Sequence, residues 1–266
     1  MLDAARLVCH CLLVETNDGL VLVDTGFGLD DVRGGRARIG LLLTSIARPR
    51  FDPDETAIRQ VERLGYEPTD VRHIVLTHLD VDHAGGLADF PSAKVHVMAK
   101  EHEAAVVRPL GREAMRYRSV QWAHGPHWVT HVVDGERWLG FERVRVLEAI
   151  DPEIALVPLY GHSRGHAGVA VRAPDGWLFH AGDAYFHRGE VEERDHCPPG
   201  LALFQGIVQA ERAARLANRE RVRELALAHA RDVHVFCAHD AVELERMQES
   251  ARSVPAETPP AHEIAS

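Results

Sequence analysis

Short apolar runs bounded by turn residues recur along the whole chain. Each run alternates or concentrates aliphatic and β-branched residues, a pattern typical of β-strands. In chain order the runs are LVCHCLLVE, GLVLVDTG, RHIVLTH, AKVHVMA, HWVTHVV, ERVRVLE, GVAVRAP, GWLFHAGD and DVHVFCAHD. The pattern therefore predicts strands in both halves of the sequence.

Segments with helix-forming composition lie between these runs. They cover residues 54–64, 99–107, 201–230 and 241–251, and the longest is rich in Ala, Leu, Arg and Glu. Strands and helices that alternate in this way favour an α/β fold in which helices cover the sheets. A chain of 266 residues, 45% of them hydrophobic, can bury a full core. We therefore expect one domain over residues 1–252.

Three segments fit neither pattern. Residues 29–53 carry more apolar side chains than a connector needs, and residues 186–200 are polar and end in CPPG. Long insertions of this kind either serve as lids or binding loops, or pack on the surface for stability, and both interpretations stay open. Residues 253–266 are polar and rich in proline, so we expect a disordered tail there.

Charge and cysteine content narrow the function classes. The 40 acidic and 30 basic residues give a net charge of −10, which repels a phosphate backbone and disfavours nucleic-acid binding. The cysteines, Cys9, Cys11, Cys197 and Cys237, form no C-x-x-C pair, so we expect reduced thiols. The chain start lacks a basic segment followed by an apolar core, and no apolar run is long enough to span a membrane. We therefore predict a cytoplasmic protein without a membrane partner.

The stretch LTHLDVDHAGG, residues 76–86, concentrates ligand-type side chains in a few positions. It follows a buried-strand pattern, so HLDVDH is expected at the C-terminal end of that strand, where open α/β folds bind ligands. Extended geometry would place His78, Asp80 and Asp82 on one side, with His83 beside them. The paired glycines that follow should let the backbone turn sharply. Imidazole and carboxylate together bind zinc, iron or manganese, whereas a calcium site would use oxygens alone.

Three further motifs also carry ligand-type residues at the ends of predicted strands. YGHSRGHAG offers His162 or His166, LFHAGDAYF offers Asp183, and HVFCAHDAV offers His239. A single histidine after a strand is more often an ordinary polar residue than a ligand. Four such motifs in one chain indicate instead a metal centre assembled from distant parts of the sequence.

The order of these motifs resembles the metallo-β-lactamase-fold hydrolase superfamily. DTG, then H-x-[HD]-x-D-H-x-G-G, G-H-S-x-G-H, G-D and AHD follow one another between about residue 7 and residue 252. The resemblance implies a four-layer αβ/βα sandwich with a binuclear metal site at one edge between the sheets. The residue pattern of CHCLLVETNDGLVLVDTGFG resembles the lactonase-like branch of that superfamily.

The resemblance also implies roles for individual residues. Two divalent metal ions are expected, with zinc as the first choice and manganese or iron as alternatives. The first ion would be bound by His78, Asp80 and His162, the second by Asp82, His83 and His239, and Asp183 would bridge them. His166 would be structural, and Asp24 of DTG would support the ligands from behind.

Asp80 departs from the common family pattern. Most members with a binuclear zinc site have histidine at this position. With three aspartates and a bridging hydroxide, two divalent ions would give a neutral core instead of a charge of +1. A neutral core is a weaker Lewis acid, and a carboxylate favours harder ions such as manganese or iron. The flavodiiron proteins share this carboxylate, but the chain has no room for their flavodoxin domain.

The implied reaction is hydrolysis of a small ester or lactone. A hydroxide held between two metal ions is nucleophilic near neutral pH and would attack the carbonyl carbon. Asp82 and Tyr185 are the candidate catalytic residues, with Tyr185 as acid or oxyanion donor. Acyl-homoserine lactonases have a tyrosine one position later, where this chain has Phe186. The apolar residues 39–43 are expected to line or cover the substrate entrance.

Two other functions stay open. One is an iron-dependent oxidoreductase of the persulfide dioxygenase or flavodiiron type, and the other is a metal-binding pseudoenzyme. The expected partner is a small-molecule substrate. Relatives usually open with an edge strand before the stretch LVCHCLLVE, but six residues precede Leu7, so either the start is truncated or an edge is left unpaired. An unpaired edge would invite association, so a homodimer is a further expectation.

Overall fold

Two mixed β-sheets lie at the centre of the computed structural model, which describes residues 6–109, 111–133, 135–147 and 150–253. The first sheet is formed, in spatial order, by β1 (Leu12–Thr16), β2 (Gly19–Val23), β3 (Val71–Val75), β4 (Lys94–Met98) and β5 (His127–His131). β1 is antiparallel to β2, and the pairs from β2 to β5 are parallel. Parallel strands bring their C-terminal ends to one edge of the sheet.

The second sheet has mainly antiparallel pairing. In spatial order it is formed by β11 (Val233–Phe236), β10 (Gly176–His180), β9 (Ala167–Ala173), β8 (Ile154–Pro158), β7 (Phe141–Val146) and β6 (Glu136–Trp138). β10 and β11 are parallel, so both end at the same edge, and the remaining pairs are antiparallel.

Helices follow the strands and cover the outer faces of both sheets. They are α1 (Leu29–Gly34), α2 (Arg36–Ile39), α3 (Leu41–Ala47), α4 (Ala57–Arg63), α5 (Val81–Ala84), α6 (Ala99–His102), α7 (Glu113–Arg116), α8 (Pro199–Val208), α9 (Arg212–Ala228) and α10 (Ala241–Ser253). Within the described residues, no helix combines the length and the apolar character needed to cross a membrane.

The alternation of side chains along the strands explains the layering. In β2, Leu20 and Leu22 face α4, whereas Val21 and Val23 face β8 of the other sheet. The alternate residues of β8 in turn pack with α9. Both faces of each sheet are therefore buried, in the order helices, sheet, sheet, helices. Each fully buried valine or leucine of this kind contributes about 1.5–3 kcal/mol. The predicted four-layer αβ/βα sandwich is confirmed.

The prediction of one long helix over residues 201–230 is wrong in one respect, because the structure has two helices there. α8 ends at Val208, and Glu211 caps α9 by accepting hydrogen bonds from the backbone N–H groups of Ala213 and Ala214, both at 3.0 Å. The break has a structural use: the Ala210 N–H donates to the Gly161 and His162 carbonyl oxygens at 3.0 and 2.9 Å. The break therefore supports the turn that carries His162.

Other local predictions differ in detail from the structure. Within the segment 29–53, residues 29–47 contain α1 to α3, and β6 and β8 were not among the predicted strands. The first predicted run is divided: β1 begins at Leu12, whereas Val8 and His10 donate backbone hydrogen bonds to His239 and Ala238 beyond β11. The cysteines are free thiols, as predicted. Of the predicted tail, Ser253 ends α10 and residues 254–266 lie outside the described residues.

Candidate metal centre

The four ligand-type motifs meet at one edge of the two sheets. Residues 78–83 follow β3, Asp183 follows β10 and His239 follows β11. His162 lies in the turn from β8 to β9, two strands whose antiparallel pairing places that turn at the same edge. The fold therefore brings together residues that are far apart in the sequence.

His78, Asp80 and His162 form one group of possible ligands. Asp80 Oδ2 lies 3.2 Å from His78 Nε2 and 3.1 Å from His162 Nε2. Both histidines are buried, and the Asp80 carboxylate is partly exposed. The alternation expected for an extended segment therefore holds for His78 and Asp80.

Asp82, His83 and His239 form a second group. Asp82 and His83 lie on α5, so a turn of helix replaces the extended geometry expected for Asp82. Asp183 lies between the two groups. Its Oδ1 is 3.3 Å from His83 Nε2 and 3.1 Å from His239 Nε2, and its Oδ2 is 3.2 Å from His162 Nε2.

The geometry of these atoms fits metal ions. Among the described residues, the buried atoms His78 Nε2, His83 Nε2 and Asp183 Oδ1 have no hydrogen-bond partner, although oxygen or nitrogen atoms lie a little over 3 Å away. Two ligands about 2.0–2.2 Å from a common ion in tetrahedral geometry are about 3.3–3.6 Å apart. Such atoms point at a shared position instead of at each other. The residues predicted as ligands thus form groups that could hold divalent ions.

Hydrogen bonds behind the cluster fix the orientation of the rings. His83 Nδ1 donates to Asp24 Oδ2 at 2.8 Å, and His239 Nδ1 donates to the Val8 carbonyl oxygen at 2.8 Å. Each ring therefore directs Nε2 at the cluster, which is the nitrogen that a metal ion would bind. Burial alone would raise the pKa of Asp24, but the adjacent His83 lowers it below the usual value. Asp24 lies where the resemblance implies a supporting residue.

His166 occupies a different place from His162. Its Nδ1 donates to the Leu159 carbonyl oxygen at 2.9 Å, and its Nε2 accepts the Asp183 backbone N–H at 2.8 Å. Both ring nitrogens are therefore used within the backbone framework, and the ring fixes Asp183. This arrangement agrees with the interpretation of His162 as ligand and His166 as structural.

The two histidines can be separated by mutation. His162→Ala should abolish binding at the first position even in excess zinc, because it removes one of three converging ligand atoms. His166→Ala should leave the metal content largely intact and lower activity by about 10–100-fold, as loss of a supporting residue does. Elemental analysis after gel filtration in zinc measures both. Loss of metal in His166→Ala with retention in His162→Ala would reverse the assignment.

The structure does not support Tyr185 as a catalytic residue. Tyr185 is fully buried in the core beneath the second sheet, and its hydroxyl donates to Glu243 Oε1 at 3.0 Å. The side chain thus packs away from the ligand atoms. Phe186 lies beside them instead, with its ring centroid 4.6 Å from that of His239 and 5.9 Å from that of His162. The aromatic residue beside the ligand atoms is therefore Phe186, which has no hydroxyl to act as an acid or oxyanion donor.

Gly85 and Gly86 are required for space and not for a sharp turn. Gly85 has ordinary helical angles, φ −63° and ψ −34°. A Cβ on Gly85 would lie 2.2 Å from Asp31 Oδ2, and one on Gly86 would lie 2.8 Å from the Thr25 carbonyl oxygen. The absence of side chains lets the segment after β2 pack directly on the metal-binding loop, where the Gly86 N–H donates to Thr25 Oγ1 at 3.0 Å.

Sequence reasoning missed two residues that hold the site together, the buried Glu101 and the partly buried Arg116. Glu101 accepts from the Leu79 N–H and the Tyr117 hydroxyl through Oε1, and from the Ser163 hydroxyl and the Gly165 N–H through Oε2, at 2.6–3.0 Å. It therefore links the two ligand-bearing loops. Its surroundings, AKEHE, are typical of a solvated helix face, so the sequence carries no signal for this role.

Arg116 is the second missed residue. Its guanidinium binds the Asp80 carboxylate with two hydrogen bonds, from Nε to Oδ1 at 2.6 Å and from Nη2 to Oδ2 at 2.5 Å. Burial alone would raise the pKa of Asp80, but Arg116 holds it well below its usual range. The residue that departs from the family pattern thus has a charged partner on α7, which no motif indicated.

Similarity in sequence to known proteins supports the resemblance to the metallo-β-lactamase superfamily. The model of the metallo-beta-lactamase superfamily matches residues 4–229. A probable metallo-hydrolase of Mycobacterium tuberculosis, Rv2300c, is 49% identical over 88% of this chain and 75% of its own length. An N-acyl homoserine lactonase of Bacillus thuringiensis is 30% identical over 60% of this chain and 57% of its own length.

A solved structure shows the same fold. An N-acyl homoserine lactone hydrolase, determined with the product N-hexanoyl-L-homoserine at its catalytic metal centre, aligns with a TM-score of 0.66 and 23% identity. The alignment covers 94% of this chain and 86% of the hydrolase. The fold, the order of the strand-end motifs and the match over most of the sequence together show that this chain belongs to the metallo-β-lactamase superfamily.

Proposed function

We propose that this chain, a metal-dependent hydrolase, cleaves a small neutral ester or lactone at two adjacent metal positions. The observation that carries the proposal is the convergence of two groups of histidine and carboxylate side chains around Asp183. The similarity to N-acyl homoserine lactonases supports a lactone or ester carbonyl as the point of attack. Zinc is the first expected ion, and manganese or iron are alternatives.

Divalent ions bound here would polarise a carbonyl oxygen and lower the pKa of water towards about 7. The chain's own residues prepare the site for them. Asp24 and the Val8 carbonyl hold His83 and His239 through Nδ1, so that Nε2 of each ring is directed at the cluster. Asp82 is partly exposed, and its Oδ2 lies 3.8 Å from His239 Nε2, which supports the expectation that its carboxylate would accept a proton from an attacking water. These contacts set the geometry before substrate arrives.

Aromatic packing next to the ligands favours a substrate with an apolar part. Phe186 covers His239 and His162, and Phe204 of α8 packs against Phe186 with ring centroids 6.0 Å apart. Leu203 and Ile207 on the same helix are exposed, at 67% and 58%. Because Phe186 is itself buried, we expect the exposed apolar side chains of α8, and not the Phe186 ring, to contact an acyl or alkyl group of the substrate.

A substrate panel together with metal analysis tests the proposed function. The purified protein should turn over short and medium-chain lactones and aryl esters when loaded with zinc, and a chelator should abolish that activity until metal is restored. Turnover of neither class with both positions filled would exclude the proposal and favour a metal-binding pseudoenzyme. Bound iron with redox-linked spectra would favour the oxidoreductase alternative. The carboxylate of Asp80 was the reason for that alternative, and its pairing with Arg116 weakens the argument.

The apolar residues 39–43 supply a prediction about the entrance. Ile39 is buried at 3% exposure and cannot cover it, whereas Leu41, at the start of α3, is 66% exposed. If Leu41 contacts substrate, Leu41→Asp should remove about half of a leucine's burial energy and raise KM for apolar substrates by about tenfold. Steady-state kinetics on an ester series of increasing chain length measures the effect.

Ile46→Asp is the matched control for Leu41→Asp. Ile46 is also on α3 and 50% exposed, but it lies about 140° away around the helix. We expect it to leave KM unchanged. Equal KM values for Leu41→Asp and the unmodified protein would show that α3 packs for stability and does not form the entrance.

A further inference from the structure

Arg116 uses all of its hydrogen-bonding capacity at the candidate metal centre. A guanidinium has five N–H donors. In addition to the two bonds to Asp80, Nη1 donates to the His162 carbonyl oxygen at 2.9 Å and to the Val208 carbonyl oxygen at 2.6 Å, and Nη2 donates to His162 Nε2 at 2.6 Å. No donor is left over for a substrate, so the contacts hold the group in one place.

Two of these acceptors are ligand atoms of the first metal position. Asp80 Oδ2 and His162 Nε2 belong to the group with His78, and both lie within hydrogen-bond distance of Nη2. The lone pair that His162 Nε2 would give to a metal ion is therefore directed at a cation of the protein itself. Of the three ligand atoms, His78 Nε2 alone is without a hydrogen bond among the described residues.

The second metal position has no comparable occupant. In the described part of the chain, no arginine or lysine is hydrogen-bonded to Asp82, His83 or His239, and the imidazoles are engaged only through Nδ1 and with Asp183. The two positions therefore differ in what an entering ion must displace. At the second position it meets no arginine or lysine of the described residues, and at the first it must displace Nη2 from His162 and share Asp80 with a guanidinium.

We propose that Arg116 is a built-in cation at the first metal position, so that the second position fills first and the first position binds an ion more weakly, in competition with Arg116. The proposal depends on the proposed function only in that both assume metal binding at these residues. The proposal also explains why aspartate stands at position 80: an aspartate can hold an arginine in this place, whereas the more common histidine cannot. Arg116 is thus a positioning residue that controls metal stoichiometry.

Stepwise zinc titration of the metal-free full-length chain tests the proposal. Calorimetry with a competing chelator gives the affinity of each step, and Co²⁺ gives the ligand environment from its visible spectrum. The unmodified protein should show a tight step and a second step weaker by at least about tenfold, as outer contacts to a ligand commonly change metal affinity by about 10–100-fold. Arg116→Met should tighten the second step by a similar factor and leave the first unchanged.

Arg164→Met is the matched control. Arg164 makes the same two-pronged contact with a carboxylate, Glu113, on the same helix α7, but that carboxylate is not among the grouped ligand residues. The variant should keep the two unequal steps. Arg116→Lys should fall between Arg116→Met and the unmodified protein, because an ammonium keeps the charge but cannot hold Asp80 and His162 together.

The titration also distinguishes the possible failures. Two zinc steps of equal affinity in the unmodified protein would overturn the proposal, and this measurement needs no variant to fold. An unchanged or weaker second step in both Arg116 variants would overturn it as well. Absence of zinc binding in the unmodified protein and all variants would overturn the proposed function together with this inference, whereas equal steps would leave the proposed function standing.

Discussion

Asp183→Asn should remove almost all hydrolytic activity and most of the bound metal. Asp183 offers one oxygen to His83 and His239 and the other to His162, so it is the residue through which the two groups are joined. An amide has the same shape but one oxygen and no charge, and it brings donors to positions where two ions need acceptors. Loss of an outer contact already costs about 10–100-fold in affinity or activity, so the loss here should exceed about 100-fold.

Metal analysis and kcat on a responsive lactone or ester measure the Asp183→Asn effect. Asp175→Asn serves as control, because Asp175 is exposed in the turn before β10, at the other end of the same strand. It should retain both metal and activity. Full metal content in Asp183→Asn would show that Asp183 is not shared between the two positions.

The fold could be predicted because its signals are local. In β2 and β9, apolar residues on both strand faces reflect burial between a helix layer and the other sheet, and this burial requires the same residue types wherever the strand lies. The break between α8 and α9 could not be predicted in the same way. Helix propensity continues through residues 209–211, and the break is decided by hydrogen bonds to the distant turn at Gly161.

The residues of the candidate metal centre also differ in whether they could be identified from the sequence. The histidines and aspartates could be identified because metal chemistry restricts which residue types serve and each follows a strand. Glu101 and Arg116 could not, because a glutamate or arginine on a short helix is ordinary, and their roles depend on which loops the fold brings against them. Tyr185 shows the opposite case: proximity in sequence to Asp183 suggested a catalytic role, but the chain turns at residues 182–183, directly after β10, and Tyr185 faces the core.

From the sequence alone, Asp80→His should restore the common site and bind zinc more tightly. The structure changes that expectation, because histidine would leave the Arg116 guanidinium without two of its five acceptors. Both side chains of the pair are 17% exposed, so the pair is largely buried. Breaking a buried pair costs about 3–5 kcal/mol, and we expect about 3 kcal/mol here. Denaturant unfolding of the metal-free protein measures that loss.

The double variant Asp80→His with Arg116→Met should remove both the stability loss of Asp80→His and the weak zinc binding at the first position. It pairs the common ligand with a neutral side chain of similar length, so no unpaired charge remains and the first position is open to an ion. We expect stability close to that of the unmodified protein and two tight zinc equivalents, whereas Asp80→His alone keeps one. The difference between the double variant and the sum of the single variants measures the coupling between the two side chains. Additive effects, or two tight equivalents in Asp80→His alone, would show that Arg116 does not control the first position.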